Sequence, residues 1–171
     1  MNPSAAHNNT QLSPTDLRLL RRCIALAAQA LTDGDEPFGS VLLDDRGEIR
    51  FEDHNRVARG DATRHPEFEI ARWAAEHLTP EERAASTVYT SGEHCPMCAA
   101  AHGWVGLGRI VYAASTAQLS AWMSEWGIAP GPVAALSIQT VIPGVPVSGP
   151  APELTAAIRA LHAAHYGIIT Q

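Results

Sequence analysis

A chain of 171 residues with 46% hydrophobic and 18% charged side chains can bury roughly two thirds of its unfolded surface, so one compact domain is expected. No apolar run reaches the about 18 residues a membrane span needs, and the first ten residues carry neither a basic nor an apolar leader segment, so a cytoplasmic protein is expected. The formal net charge of -6 leaves Arg18, Arg21 and Arg22 as the one basic cluster, on the polar side of a helix, which argues against nucleic acid and for a small-molecule partner.

Residues 1–10 hold few large apolar side chains and are expected to form a flexible tail ahead of a single domain over 11–171. Ser13-Pro14-Thr15-Asp16 reads as a capping box with proline at the first helical position. Leu17, Leu20, Ile24, Ala27, Ala28 and Leu31 then recur at helical spacing, and Gly34 ends the helix. Cys23 falls in a second apolar set with Leu19 and Leu26 and reads as a small buried hydrophobe. Phe38 to Leu43 and Ile49 to Val57, separated by the turn residues Asp44-Asp45-Arg46-Gly47, read as a strand pair.

A helix is predicted from Pro66 to about Leu78, then a turn at Thr79-Pro80-Glu81-Glu82, a strand at Thr87 to Ser91 and a helix opened by Pro96. Strands at Arg109 to Ala114 and Leu136 to Ile142, a helix from Ala117 to Trp126 and a terminal helix from Pro152 to Tyr166 complete an α/β layered pattern. Ala129 to Val133 has no periodicity, and Pro143 to Pro152 reads as a linker carrying the last helix away from the body.

Two constellations carry chemistry. His65-Pro66-Glu67 sits at a helix start, and Glu67 shares the spacing of the apolar Ile70, Ala71 and Ala74, so it is a carboxylate on the core-facing side. Burying it without a partner costs several kcal/mol, on the order of 2 or more, which a bound cation or a catalytic duty would explain; a solvated first-turn glutamate favoured by the helix dipole is the bland alternative. Cys95-Pro96-Met97-Cys98 places two sulfurs one helical turn apart at a second helix start. With His65 they offer three corners of a zinc tetrahedron, and a fourth corner open to water is the catalytic arrangement. A redox dithiol, or a closed structural site completed by His94 or His102, would use the same CxxC but leave His65-Pro66-Glu67 unexplained.

H-x-E followed after a strand by C-x-x-C at a helix start resembles the signature of the zinc-dependent cytidine-deaminase superfamily. Pro37-Phe38-Gly39-Ser40-Val41 resembles the first strand of that family, His54-Asn55-Arg56-Val57 its asparagine-bearing strand, and Trp104 the aromatic that follows its CPMC helix. Pro66 and His94 depart from the alanine and proline usual at those places. The resemblance, nearest to guanine deaminases and tRNA adenosine deaminases, covers about residues 13–126. It implies a three-layer α/β/α sandwich around a mixed five-stranded sheet.

It further implies one zinc ion on His65, Cys95 and Cys98, and Glu67 as the group that shuttles protons while an exocyclic amine is replaced by water's oxygen. Phe38, Asn55 and Trp104 would hold the ring, and Glu125 would assist proton transfer. The implied substrate is a free nucleobase such as guanine, or a related aminopurine, aminopyrimidine or triazine. The alternatives are a nucleoside, or a zinc-stabilised module without catalysis. By the same likeness a homodimer is expected, with the helix 152–166 exchanged so that His162, His165 or Tyr166 covers the neighbouring site.

Overall fold

The computed structural model describes residues 11–169; the tail expected over residues 1–10 lies outside them. Ser13 accepts from the Asp16 amide and Asp16 returns a bond to the Ser13 amide, so the predicted capping box starts α1 (Pro14–Thr32). The buried face of α1 is Leu19, Leu20, Cys23, Leu26, Ala27 and Ala30. The helix is therefore turned so that the set containing Cys23 faces the core, while Leu17, Ile24 and Ala28 sit at its margin.

Strands β1 (Gly39–Leu43) and β2 (Ile49–His54) pair antiparallel, and β3 (Thr87–Gly92) flanks β1 on the other side, also antiparallel. Beyond β3, β4 (Arg109–Ala114) and β5 (Val147–Ser148) run parallel to it, giving the order β2-β1-β3-β4-β5. Helices α2 (Pro66–His77) and α4 (Pro96–Val105) cover one face through Ile70, Ala71, Ala74 and Leu78. On the other face lie α1, α5 (Thr116–Glu125) and α7 (Thr155–His165), which meet around Ala27, Trp122 and Ile158. The expected mixed five-stranded α/β sandwich is thus present.

Two segments differ from the sequence expectation. Leu136 to Ile142 is not a strand: Ser137 starts the one-turn helix α6 (Ile138–Val141), with Ile138 buried against Ile110 and Tyr112. The segment read as a linker supplies the fifth strand instead, because Val147 and Ser148 pair with Ile110 and Val111, and the Ala151 amide bonds Ala113 O. A short apolar run fits either element, and pairing with an open sheet edge decides between them. Thr79 to Glu82, read as a turn, is the capping box of a further short helix, α3 (Pro80–Ala85). The terminal helix α7 packs against α1 of its own chain; a homodimer with this helix exchanged would remake these contacts between two chains.

One buried network ties the helix layer to the sheet. Asp16 accepts from both Arg109 guanidinium nitrogens at 2.9 and 3.2 Å and from the Tyr89 hydroxyl at 2.9 Å. Burial by itself would raise the Asp16 carboxyl, but Arg109, the Ser13 amide and Tyr89 outweigh it and hold it below the ordinary value. Its ionised form therefore stabilises the fold at neutral pH, and that contribution is lost as acid takes the pH down through its folded pKa. Asp16→Ala should lower stability by about 2–4 kcal/mol in a denaturant titration at pH 7, since it leaves Arg109 and Tyr89 without their acceptor. An unchanged midpoint would show that the network contributes nothing. Gly39→Ala should also destabilise, because a Cβ there would lie 2.4 Å from Leu26 Cβ and 2.5 Å from Cys23 O.

Candidate metal and catalytic site

The sheet brings the chemistry to one end. Gly39 at the start of β1 pairs with His54 at the end of β2, and Gly92 closes β3 opposite Ala114 of β4. Phe38, Asn55, Glu93 and Ser115 therefore emerge together, where the parallel strands β3 and β4 present their carboxyl ends, the usual location of ligand crevices in such sheets. Two helices start at this end. His65 and Cys95 are the N-cap residues of α2 and α4, both in extended conformation and both followed by a proline at the first helical position.

His65 Nδ1 lies 3.5 Å from Cys95 Sγ and 3.5 Å from Cys98 Sγ, and the three donor atoms all fall within 4.8 Å of one another. Nitrogen and sulfur donors in this grouping suit zinc, whose bonds to them run about 2.0–2.3 Å. The protonation pattern points the same way. A hydrogen bond from Cys98, assisted by His65, brings the Cys95 thiol down to about 4, while the Cys98 thiol is pushed up by Cys95 and by burial. The two thiols are displaced in opposite directions because negative charge on one disfavours it on the other; a bound cation would let both sulfurs act as thiolates. His94 and His102 take no part: their rings contact each other edge to face at 5.4 Å, and His102 Nε2 is 2.8 Å from Gly108 O. The closed Cys2His2 alternative is therefore not what the chain builds.

Glu67, one position inside α2, is buried, as its spacing predicts. Its Oε1 accepts from the Thr90 hydroxyl at 2.7 Å, and its Oε2 is 3.9 Å from Cys98 Sγ. Burial raises its pKa, with Thr90 and His65 opposing the shift. Phe38 lines the same cavity. Asn55 is fully buried; its Oδ1 accepts from the Val57 amide at 3.1 Å, which fixes the side-chain amide and leaves Nδ2 without a partner.

Asn55 is not among the residues that line the cavity, and two further predicted residues are elsewhere. Trp104 is 90% exposed and borders a separate shallow groove with Ile142 and Pro143. It lies six residues beyond Cys98, about 240° around the helix, so it points away when Cys98 points in. Glu125 is exposed and paired with Arg159 at 2.7 Å, while Thr116, Leu119, Ser120, Met123 and Ser124 are the α5 residues that line the cavity.

Further residues complete the cavity, which has a volume of about 730 Å³. The Glu93 carboxylate accepts from the Thr116 amide at 2.8 Å and from the Ile138 amide at 2.9 Å, anchoring α5 and α6 to the loop that carries Cys95. His162 of α7 packs edge to face on Phe38 with centroids 5.0 Å apart, and burial brings its imidazole down to about 4, so it is neutral at physiological pH. The aperiodic segment after α5 forms a wall from Ile128 to Ala135. His162, expected over a neighbouring chain's site, lines the cavity of its own chain, and in the sequence Glu93 is marked by its adjacency to the CPMC motif alone.

Site and fold together are those of a zinc-dependent deaminase. A sequence model of the cytidine and deoxycytidylate deaminase zinc-binding region matches residues 13–114, and the chain belongs to that family. It is 34% identical over 112 residues to a probable cytosine deaminase of Schizosaccharomyces pombe, covering 66% of this chain and 68% of that protein. It is also 34% identical over 104 residues to a tRNA-specific adenosine deaminase of Haemophilus influenzae, covering 60% of each. The matches thus span about two thirds of these relatives or less. The structure of a guanine deaminase from Nitrosomonas europaea superposes with a TM-score of 0.65 over 98% of both chains at 20% identity, a likeness of fold.

Cys98→Ala should bind less than one tenth of the zinc held by the parent at equal free metal, and should unfold at lower temperature, because the chelating pair is broken. Elemental analysis beside a thermal melt reads both. Full zinc content in the variant would remove Cys98 from the ligand set.

Proposed function

We propose that this protein is a hydrolytic deaminase of a small amino-substituted nitrogen heterocycle of the nucleobase type. Water's oxygen replaces the exocyclic amine, the carbon-nitrogen bond breaks and ammonia leaves. The observation that carries this reading is the position of Glu67, a buried carboxylate beside His65, Cys95 and Cys98 in a cavity lined, among the described residues, by no Lys or Arg. When bound by those three residues, zinc supplies a water acidic enough to react near neutral pH.

Glu67 does the proton work. Thr90 holds Oε1, so the carboxyl group stays in one orientation, and its raised pKa suits a group that must both take a proton from water and return it. Glu67 takes the two protons of the attacking water in turn, returning the first to the ring nitrogen beside the reacting carbon and the second to the departing amine as the carbonyl forms. The Phe38 ring, held from behind by His162, offers an apolar wall for a flat heterocycle. Asn55 Nδ2 is the donor we assign to an acceptor on the ring edge, since a buried amide hydrogen without a partner is costly unless a ligand supplies one.

The names of the relatives span cytosine, guanine and adenosine in tRNA, so they support the reaction more closely than they support one ring. A cavity without cationic side chains favours an uncharged substrate over one presented on a phosphate backbone.

Ammonia release by the zinc-loaded protein from guanine, cytosine, isocytosine, adenine, their nucleosides and aminotriazines tests the proposal. Glu67→Gln should retain zinc and fold while kcat falls by about 10²–10⁴ or more, because an amide cannot exchange protons with substrate. Turnover within about tenfold of the parent would remove Glu67 from the chemistry.

A further inference from the structure

The cavity above the metal ligands is larger than the reaction needs. At about 730 Å³ it falls within the roughly 300–1,000 Å³ that enclose drug-sized ligands, whereas a single heterocycle between Phe38 and Glu67 fills only its inner end. The remainder is bounded by one face of α5, where Leu119 and Met123 stand one turn apart, and by Ile128, Pro130 and Val133 of the following segment.

These side chains have an unusual status. Trp122 is the α5 residue that is buried in protein, while Leu119 and Met123 are only partly covered and turn toward the cavity. Val133, on the exposed rim, is 61% accessible. Away from the floor, Glu93 is taken by two backbone amides and the hydroxyls of Ser115, Thr116, Ser120 and Ser124 lie at the start and along α5, while the residues from Ile128 to Ala135 that line the cavity carry no polar side chain. A phosphate needs cations, which this lining does not supply, and the wall from Ile128 to Ala135 offers the hydroxyls of a ribose no polar side chain.

From this continuity of an apolar outer chamber with the metal-binding floor, we infer that the substrate is an amino-heterocycle bearing an uncharged apolar substituent, which lies against Leu119, Met123, Ile128 and Val133. The inference rests on the deaminase reading and narrows it to a substrate class: neither a bare base, a nucleoside nor a nucleotide. Ring recognition stays at Phe38 and Asn55, and the substituent adds affinity by leaving water for the apolar wall. Burying a phenyl-sized group there should tighten binding by roughly ten- to a hundredfold.

The test compares four forms of one heterocycle on the zinc-loaded protein: cytosine, 1-benzylcytosine, cytidine and cytidine 5′-monophosphate, with the guanine series alongside. Benzyl substitution should raise kcat/KM at least about tenfold over the bare base in at least one series, mainly through KM, and the riboside and its phosphate should fall below the benzyl compound. Calorimetric titration of the catalytically silenced Glu67→Gln protein should give the same order of affinities without turnover. Met123→Asp and, at the exposed rim, Val133→Asp should each cut the benzyl-to-bare preference about tenfold with zinc content unchanged.

A bare base or riboside that equals the benzyl compound in turnover and in binding overturns the substituent and leaves the deaminase reading standing. So does a preference that survives both aspartate variants. Failure of every compound, bare or substituted, to release ammonia defeats the deaminase reading and takes this inference with it.

Discussion

Two sulfurs and an imidazole held within a few ångströms of one another at the start of two buried helices impose a condition that the rest of the molecule meets. Negative charge on both sulfurs is tolerable only with a cation between them, and the opposite displacements of the Cys95 and Cys98 thiols express that conflict. The geometry also needs rigid support. Pro66 and Pro96 pre-set the first helical residue, the N-cap residues His65 and Cys95 approach in extended conformation, and α2 packs beside α4 on the same face of the sheet. Metal binding and folding are therefore expected to be linked, each lending the other part of its free energy.

The same arrangement gives two neighbouring carboxylates different work. Glu67 lies in the first turn of α2, on the helix face that otherwise packs Ile70, Ala71 and Ala74, and has one hydroxyl partner in Thr90. Glu93 also reaches the cavity, yet each of its oxygens accepts from a backbone amide, Ile138 on one side and Thr116 on the other. A group so occupied positions walls. A buried carboxyl with one short hydroxyl bond, a long contact from Cys98 Sγ on its other oxygen and a raised pKa can exchange protons. Surroundings, rather than residue type, divide the roles.

How far the sequence disclosed this follows from where local rules decide structure. Caps are local, so the Ser13 capping box and the prolines opening α2 and α4 were legible, and with them the convergence of His65, Cys95 and Cys98. Strand identity at the carboxyl-terminal edge is not local. Val147 and Ser148 are a strand because β4 has an unpaired edge there, and no periodicity of two residues could announce it. Motif likeness carries no helical phase, and it is phase that turns Trp104 outward from the helix bearing Cys98 and sets Glu125 against Arg159 rather than on the cavity side of α5. Ala129 to Val133 lacked any pattern since its side chains line a cavity and repeat against no protein neighbour.

The family match ends at Ala114, the last residue of β4, and that boundary has physical content. Residues up to it supply the first four strands of the sheet, both metal-bearing helices, Glu67, Phe38 and Asn55, which is everything the proposed proton transfers require. Residues after it supply the apolar face of α5, the wall from Ile128 to Ala135, and His162 behind Phe38. The two halves meet through Glu93, whose carboxylate ties the starts of α5 and α6 to the loop carrying Cys95. Substitution among the later residues can reshape the chamber while the floor keeps its ligands. Relatives that share the first part can thus share a reaction and differ in substrate, and substrate preference is to be sought in the part of the chain that the family pattern does not reach.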